Sequence, residues 1–205
     1  MNYIDSFFLA LDKEIESPLK IILTGAMAGI ILGSIRPSMD IDFEIEFSPY
    51  EKQNQGAAQK IQEAISRVSK KVRLPAQYSE NIQGWSQISF LNYRETSLLY
   101  KKIGKIEVRY LSCEHWTIGK IARYLPLDKM DVSFVLKNKP IPYEKIISIW
   151  ARAVKNSALS DRSGEFKNHA IDFIKHEGGK IWGNTFDSGK AIEYFKKETG
   201  ILEKT

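Results

Sequence analysis

"SMDIDFEIEF", residues 38–47, sets a carboxylate at every second position, Asp40, Asp42, Glu44 and Glu46, with Ile41, Phe43, Ile45 and Phe47 between them. A period of two is that of a β-strand, so the stretch predicts a strand with one apolar face and one carboxylate face. Like charges on same-face neighbours repel, and something has to offset them. Two arrangements do so: water over an exposed sheet face, or a cation bound between neighbouring acids. The flanking sequence bears on the choice.

Upstream, "LKIIL" at 19–23 reads as a short buried strand running into "TGAMAGIILGS", a glycine turn and a helix. Such a turn exposes backbone N–H groups, and the helix dipole adds partial positive charge, which suits a phosphate. Asp40 and Asp42 fall on one strand face, within reach of a shared Mg²⁺. That ion prefers one or two carboxylates plus substrate phosphate to an all-protein cage. A turn for anions thus precedes a strand for cations.

Composition sets the bounds. A chain of 205 residues with 43% hydrophobic content suits one domain or a two-lobed one with a sizeable core. A single cysteine, Cys113, excludes an internal disulfide framework and a cysteine-based zinc cluster. The three histidines, His115, His169 and His176, are scattered and receive no role. The net charge of +5 is uneven: residues 1–50 are acidic, whereas "KIQEAISRVSKKVR" and "YKKIGKIEVRY" are basic. Carboxylates inside a basic chain suit bound cations and polyanions such as nucleotide or RNA, and solvated helix faces give the same composition. The longest apolar stretch, residues 21–35, is too short for a membrane span, and no signal-peptide pattern precedes it. The expectation is a cytoplasmic protein with no membrane partner.

Periodicity and breakers give the map. Residues 2–16 read as an amphipathic helix through Ile4, Phe7, Phe8 and Leu11. After the acidic strand, one long helix is expected from Ser48 as N-cap and Pro49 at its first position to about residue 71. Residues 73–111 read as β: "RLPAQY", "WSQISFL", "TSLLYKK" and "KIEVRYL", the last two joined by a hairpin at Ile103-Gly104. Beyond Cys113 helices are expected near 114–124, 127–137, 142–155, 161–177 and 187–199. The fold class is α+β, with a mixed sheet in residues 1–112 and a helical part in 113–205.

At this point the residues resemble a known family. "LTGAMAGIILGSIRPSMDIDF" is similar to the signature of the nucleotidyltransferases of the DNA polymerase beta superfamily, a hydrophobic residue, Gly, Gly or Ser, then Asp-x-Asp. Arg36, Ser38, Asp40 and Asp42 resemble the AbiEii and MenT toxin branch, in which a helical Lys and Asp follow; "CEHWTIGKIARYLPLDKMDVSF" matches at Lys120 and Asp131. The resemblance spans residues 20–135, with two departures: Ala26 replaces the second Gly or Ser, and Phe134 stands where the family's last Asp falls.

The resemblance implies transfer of a nucleoside monophosphate from a Mg²⁺- or Mn²⁺-bound NTP to an acceptor hydroxyl. Asp40 and Asp42 would hold the metal. Gly25, Ala26, Arg36, Ser38, Lys120 and Arg123 would bind the nucleotide, and Lys120 and Asp131 would belong to the catalytic set. Arg36 has an alternative in anchoring the Pro37 turn, and Ser38 in ending a loop. The superfamily has a third carboxylate on a later strand, and Glu107 in "KIEVRYL" is the candidate. Its other reading is an ion pair with a neighbouring Lys or Arg. In the toxin branch the acceptor is an RNA 3′ end and the partner an antitoxin protein; a protein acceptor suits other relatives. Two classes compete: a catalytically inactive fold of this family, serving as a nucleotide- or protein-binding module, and an unrelated α+β protein whose acidic strand is surface.

Overall fold

The computed structural model describes residues 3–200. The chain is mixed α/β and divides into two compact units, Met1–Ile31 with Arg36–Ile82 and Arg94–Ser112, and Leu32–Ile35 with Gln83–Tyr93 and Cys113–Thr205. In chain order, α1 is Tyr3–Asp12, β1 Leu19–Leu23, α2 Gly25–Ile31 and β2 Ile41–Glu46. There follow α3 Pro49–Gln53, α4 Gln55–Val72, β3 Ala76–Ser79, α5 Gln83–Ser86, α6 Tyr93–Thr96, β4 Leu98–Ile103 and β5 Ile106–Tyr110. The rest is helical: α7 Cys113–Arg123, α8 Pro126–Lys137, α9 Tyr143–Lys155, α10 Asp161–Trp182 and α11 Ser188–Thr199. The residue-2 start expected for the first helix lies outside the described residues.

In the first unit the sheet order is β3-β2-β1-β5-β4. Strand β1 pairs antiparallel with β2 and parallel with β5, β2 is parallel to β3, and β4 closes an antiparallel hairpin onto β5. The apolar residues of "IDFEIE" point to one side, where Phe7 of α1 meets Phe43 at a tilt and Phe8 meets it edge-on, at ring-centroid distances of 6.1 and 5.9 Å. The α4 helix lies beside α1, with Ile61, Ala64, Ile65 and Val68 buried. The cations of "KIQEAISRVSKKVR" stand on the outer surface of that layer, on the side of the sheet opposite to the carboxylates. Two cations of the β4–β5 hairpin are held by α1: Lys101 pairs with Asp5 at 2.9 Å and Lys105 with Asp12 at 3.7 Å.

Two local expectations differ from the structure. "WSQISFL" is not a strand. It forms α5 and an irregular run in which Gln87 and Leu91 adopt left-handed φ of 57° and 56°, a conformation no strand accommodates. Its backbone is satisfied by side chains: Phe90 N–H donates to Gln83 Oε1 (2.9 Å) and Ser89 N–H to Ser157 Oγ (2.8 Å). The long helix after Pro49 is broken at Asn54, whose side chain accepts the Ala57 N–H (3.2 Å) and starts α4 anew.

The second unit buries an aliphatic and aromatic core, including Ile118, Ile121, Val132, Ile147, Trp150, Phe166, Phe173 and Phe195. Trp150 carries its polar end inside and satisfies it, Nε1–H donating to Thr117 Oγ1 at 2.9 Å. Cys113 is buried at the start of α7. Burial, with Glu114 adding to it, pushes its thiol up to about 12, and the thiolate is the reactive form. Iodoacetamide is therefore expected to leave Cys113 unmodified in the native protein at mildly alkaline pH and to label it fully in denaturant, as mass spectrometry would show. Rapid native labelling would contradict this burial.

Candidate functional site

The four carboxylates of the opening stretch have different surroundings. Glu46, four residues beyond Asp42, faces Lys20 across the β1–β2 ladder and pairs with it at 2.7 Å. Glu44 is fully buried. It accepts the Ile82 N–H (3.0 Å) and Arg94 Nε (2.6 Å), and the same guanidinium donates Nη2 to the Glu80 carbonyl at 2.8 Å. Burying that charge is tolerable because both donors are fixed and one is a cation. Glu44 and Glu46 thus each take a basic partner, one buried and one at the surface. Asp40 and Asp42 are the other two acids of the row.

Asp42 stands at the start of β2, where the Thr24 N–H donates to its carbonyl (2.9 Å) and extends the β1–β2 ladder. Its carboxylate lies directly against the turn that ends β1. A Cβ built on Gly25 would sit 2.0 Å from Asp42 Oδ2, and Gly25 has φ of 59°. Both facts require glycine, one for space and one for backbone. Gly25→Ala is accordingly expected to displace the Asp42 side chain and to destabilise the protein by about 1–2 kcal/mol from the left-handed backbone alone. A denaturant titration showing wild-type stability would contradict the close approach. The α2 helix has seven residues, so its dipole is short. What Gly25 and Ala26 offer is a turn packed on a carboxylate.

Asp40 precedes the first ladder residue. Ser38 Oγ donates to its Oδ1 (3.0 Å) and approaches its carbonyl (2.9 Å), while Gln77 Nε2 of β3 donates to its Oδ2 (3.2 Å). Ser38, expected at the nucleotide, is engaged with Asp40 instead. Arg36 lies half-buried in the same loop.

Glu107 does not join the pair, and the register shows why. Lys20 is level with Glu46 on β2 and with Glu107 on β5. Glu107 is thus level with the residue four beyond Asp42, about 13 Å along the strand at about 3.3 Å per residue. Paired metal ions sit only about 3.5–4 Å apart. Glu107 instead accepts Arg109 Nη1 at 3.0 Å, an ion pair along its own strand, and Arg109 also donates Nε to Ser97 Oγ (2.8 Å). Strand β5 lies one in from the β4 edge, and the centre of the sheet is β1.

Lys120, Arg123 and Asp131 belong to the second unit and form a network of their own. Lys120 Nζ donates to Asp128 Oδ1 (3.0 Å) and Asp131 Oδ2 (2.8 Å), and all three side chains are at most 5% exposed. Arg123 lays its fork on Asp128, Nε to Oδ2 (2.7 Å) and Nη2 to Oδ1 (2.6 Å), and Ser34 Oγ donates to Asp131 Oδ1 (3.0 Å). Burial raises the Asp128 carboxyl, but Arg123 and Lys120 outweigh it and hold the group below the usual aspartate range. The spacing explains the meeting: Lys120 and Arg123 are three apart on α7, Asp128 and Asp131 three apart on α8, so each pair shares a helix face. Asp128, which reading the sequence alone overlooked, carries the same signal as Asp131.

Among the described residues no three His, Cys, Asp or Glu side chains are grouped to hold a metal by themselves. Two hard carboxylates are nevertheless a donor set that Mg²⁺ takes when substrate phosphate completes the shell, so Asp40 and Asp42 fit that ion. No described helix is long and apolar enough to cross a membrane. No protein-family model, curated protein or solved structure matches this chain.

Proposed function

We propose that this protein is a metal-dependent nucleotidyltransferase, moving a nucleoside monophosphate from an NTP to an acceptor hydroxyl with release of pyrophosphate. One observation carries the reading: Asp42 rests its carboxylate on the Gly25 turn at the end of β1, with Asp40 two residues before it, just outside the strand. The resemblance to the DNA polymerase beta superfamily would give these two carboxylates the metal.

Asp40 and Asp42 would hold Mg²⁺ or Mn²⁺, which supplies charge neutralisation at the phosphates and activation of the acceptor oxygen. The chain's own work is positioning. Asp42 is fixed by the ladder and by Gly25, and Asp40 by Ser38 and Gln77. The turn at Gly25 and Ala26 brings the phosphates beside these carboxylates, and Arg36 stands in the connecting loop. Lys120, Arg123 and Asp131 serve the helical unit in this proposal, because Lys120 is enclosed by two carboxylates. Glu107 is left out on register, so the acceptor proton passes to solvent and not to a carboxylate of β5.

The acceptor class is a hydroxyl of RNA or protein, and an antitoxin partner and toxin role accompany the AbiEii-like reading. The cations of α4 do not help choose, since they lie across the sheet from Asp42. A binding module without catalysis is the second reading, favoured by the enclosed Lys120. The deciding experiment incubates the protein with each labelled NTP, Mg²⁺ and total RNA or cell extract, with and without nuclease or protease. Label entering RNA or protein supports the transferase. NTP binding without any labelled product supports the module, and neither binding nor product sinks both.

A further inference from the structure

We propose that Gln77 is the positioning residue of Asp40, a neutral amide that orients this carboxylate for a divalent cation without competing for its charge; this rests on reading Asp40 and Asp42 as the metal pair. Gln77 stands opposite Asp42 in the parallel β2–β3 register, so its side chain leaves the sheet on the carboxylate face. From there it crosses diagonally to Asp40 Oδ2 at 3.2 Å, while Ser38 Oγ holds Oδ1 at 3.0 Å.

Asp40 needs such help more than its neighbours do. It lies before Ile41, the first residue of β2, and outside the β2–β3 ladder that holds Asp42. One donor on each oxygen sets the plane of the carboxylate, and each oxygen keeps an acceptor position for a cation.

The chemistry of the donors is the second half of the argument. Glu44, Glu46 and Glu107 on this sheet face each take a cationic partner, Arg94, Lys20 and Arg109. Among the described residues the donors to Asp40 are a hydroxyl and an amide. A lysine or arginine in the place of Gln77 would cancel the charge a metal needs. An amide fixes direction and leaves the full negative charge in place. Partners of this kind, one shell out from the ion, typically govern metal affinity by about 10–100-fold.

Gln77 is exposed, so its truncation leaves the core intact and the test is clean. Mn²⁺ alone is titrated into the full chain and free Mn²⁺ followed by electron paramagnetic resonance, for wild type, Gln77→Ala, Gln77→Lys and Asp42→Asn. Gln77→Ala is expected to weaken Mn²⁺ about 10-fold or more with an unchanged melting temperature. Gln77→Lys, which restores a donor but adds a charge, is expected to weaken it further. Wild-type affinity in Gln77→Ala, or its recovery in Gln77→Lys, would overturn the role of Gln77 and leave the metal pair standing. Equal Mn²⁺ binding by wild type and Asp42→Asn would remove the metal pair itself, and Gln77 with it.

Discussion

Replacing Lys120 by methionine is expected to destabilise the helical unit by about 3–5 kcal/mol, the cost of removing the buried ammonium that bridges two buried carboxylates. The ammonium is 3% exposed and touches both Asp128 and Asp131, so no water takes its place. Against a total stability of about 5–15 kcal/mol this is a large share. Chemical denaturation measures it, and adding Asp128→Asn and Asp131→Asn to the Lys120→Met chain is expected to recover much of the loss. Acid probes the same network. Because Arg123 and Lys120 depress the folded-state pKa of Asp128, its contribution is present above the unfolded value, about pH 4. It is lost as pH falls through the lower folded value. Asp128→Asn should flatten that acid limb. If Lys120→Met proves as stable as the wild type while NTP affinity collapses, the ammonium serves the phosphates and the structural assignment is wrong.

Asp42→Asn is expected to reduce nucleotidyl transfer to background while leaving the protein folded. The carboxylate supplies metal charge that an amide does not, and an amide of nearly the same size and shape keeps the place against the Gly25 turn. Glu44→Gln is the contrast, since Glu44 is buried against Arg94 and its loss is read in stability first. Growth arrest on expression of the wild-type chain, relieved by Asp42→Asn, would tie the chemistry to a toxin role. Arrest by both would place the harm in binding. A wild type that transfers label but leaves cells unharmed would retain the chemistry and remove the toxin.

Much of this fold is legible because it is written locally. The alternation in "IDFEIE", the aliphatic run "LKIIL", the turn at Gly104 and the five C-terminal helices each follow from period and breakers within a few residues. The failures are strand and helix patterns overruled by particular side chains, most of them close in sequence and one, Ser157, remote. "WSQISFL" has strand composition, but Gln83, Ser86 and Ser157 supply its backbone with partners and two residues turn left-handed. Asn54 looked like mid-helix, yet its side chain caps better than it continues.

For the carboxylates the division is sharper. Spacing alone determined that Asp42, Glu44 and Glu46 share a face, since a strand's period is two whatever surrounds it, while Asp40 falls just before the strand begins. Which of them is neutralised was decided by residues far away in the chain: Arg94 lies 50 positions beyond Glu44, and Lys20 reaches Glu46 only because β1 and β2 run antiparallel in one register. Glu107 carries the right residue type on the right kind of strand, and only the β1–β5 register sets it four residues out of line with Asp42. Lys120 and Arg123 showed their shared helix face in the sequence. That the face is turned onto Asp128 and Asp131 is a matter of how α7 packs against α8. Period is a property of the backbone and is read from neighbours in sequence. Charge pairing is a property of distance, and distances between remote residues exist only once the chain has folded.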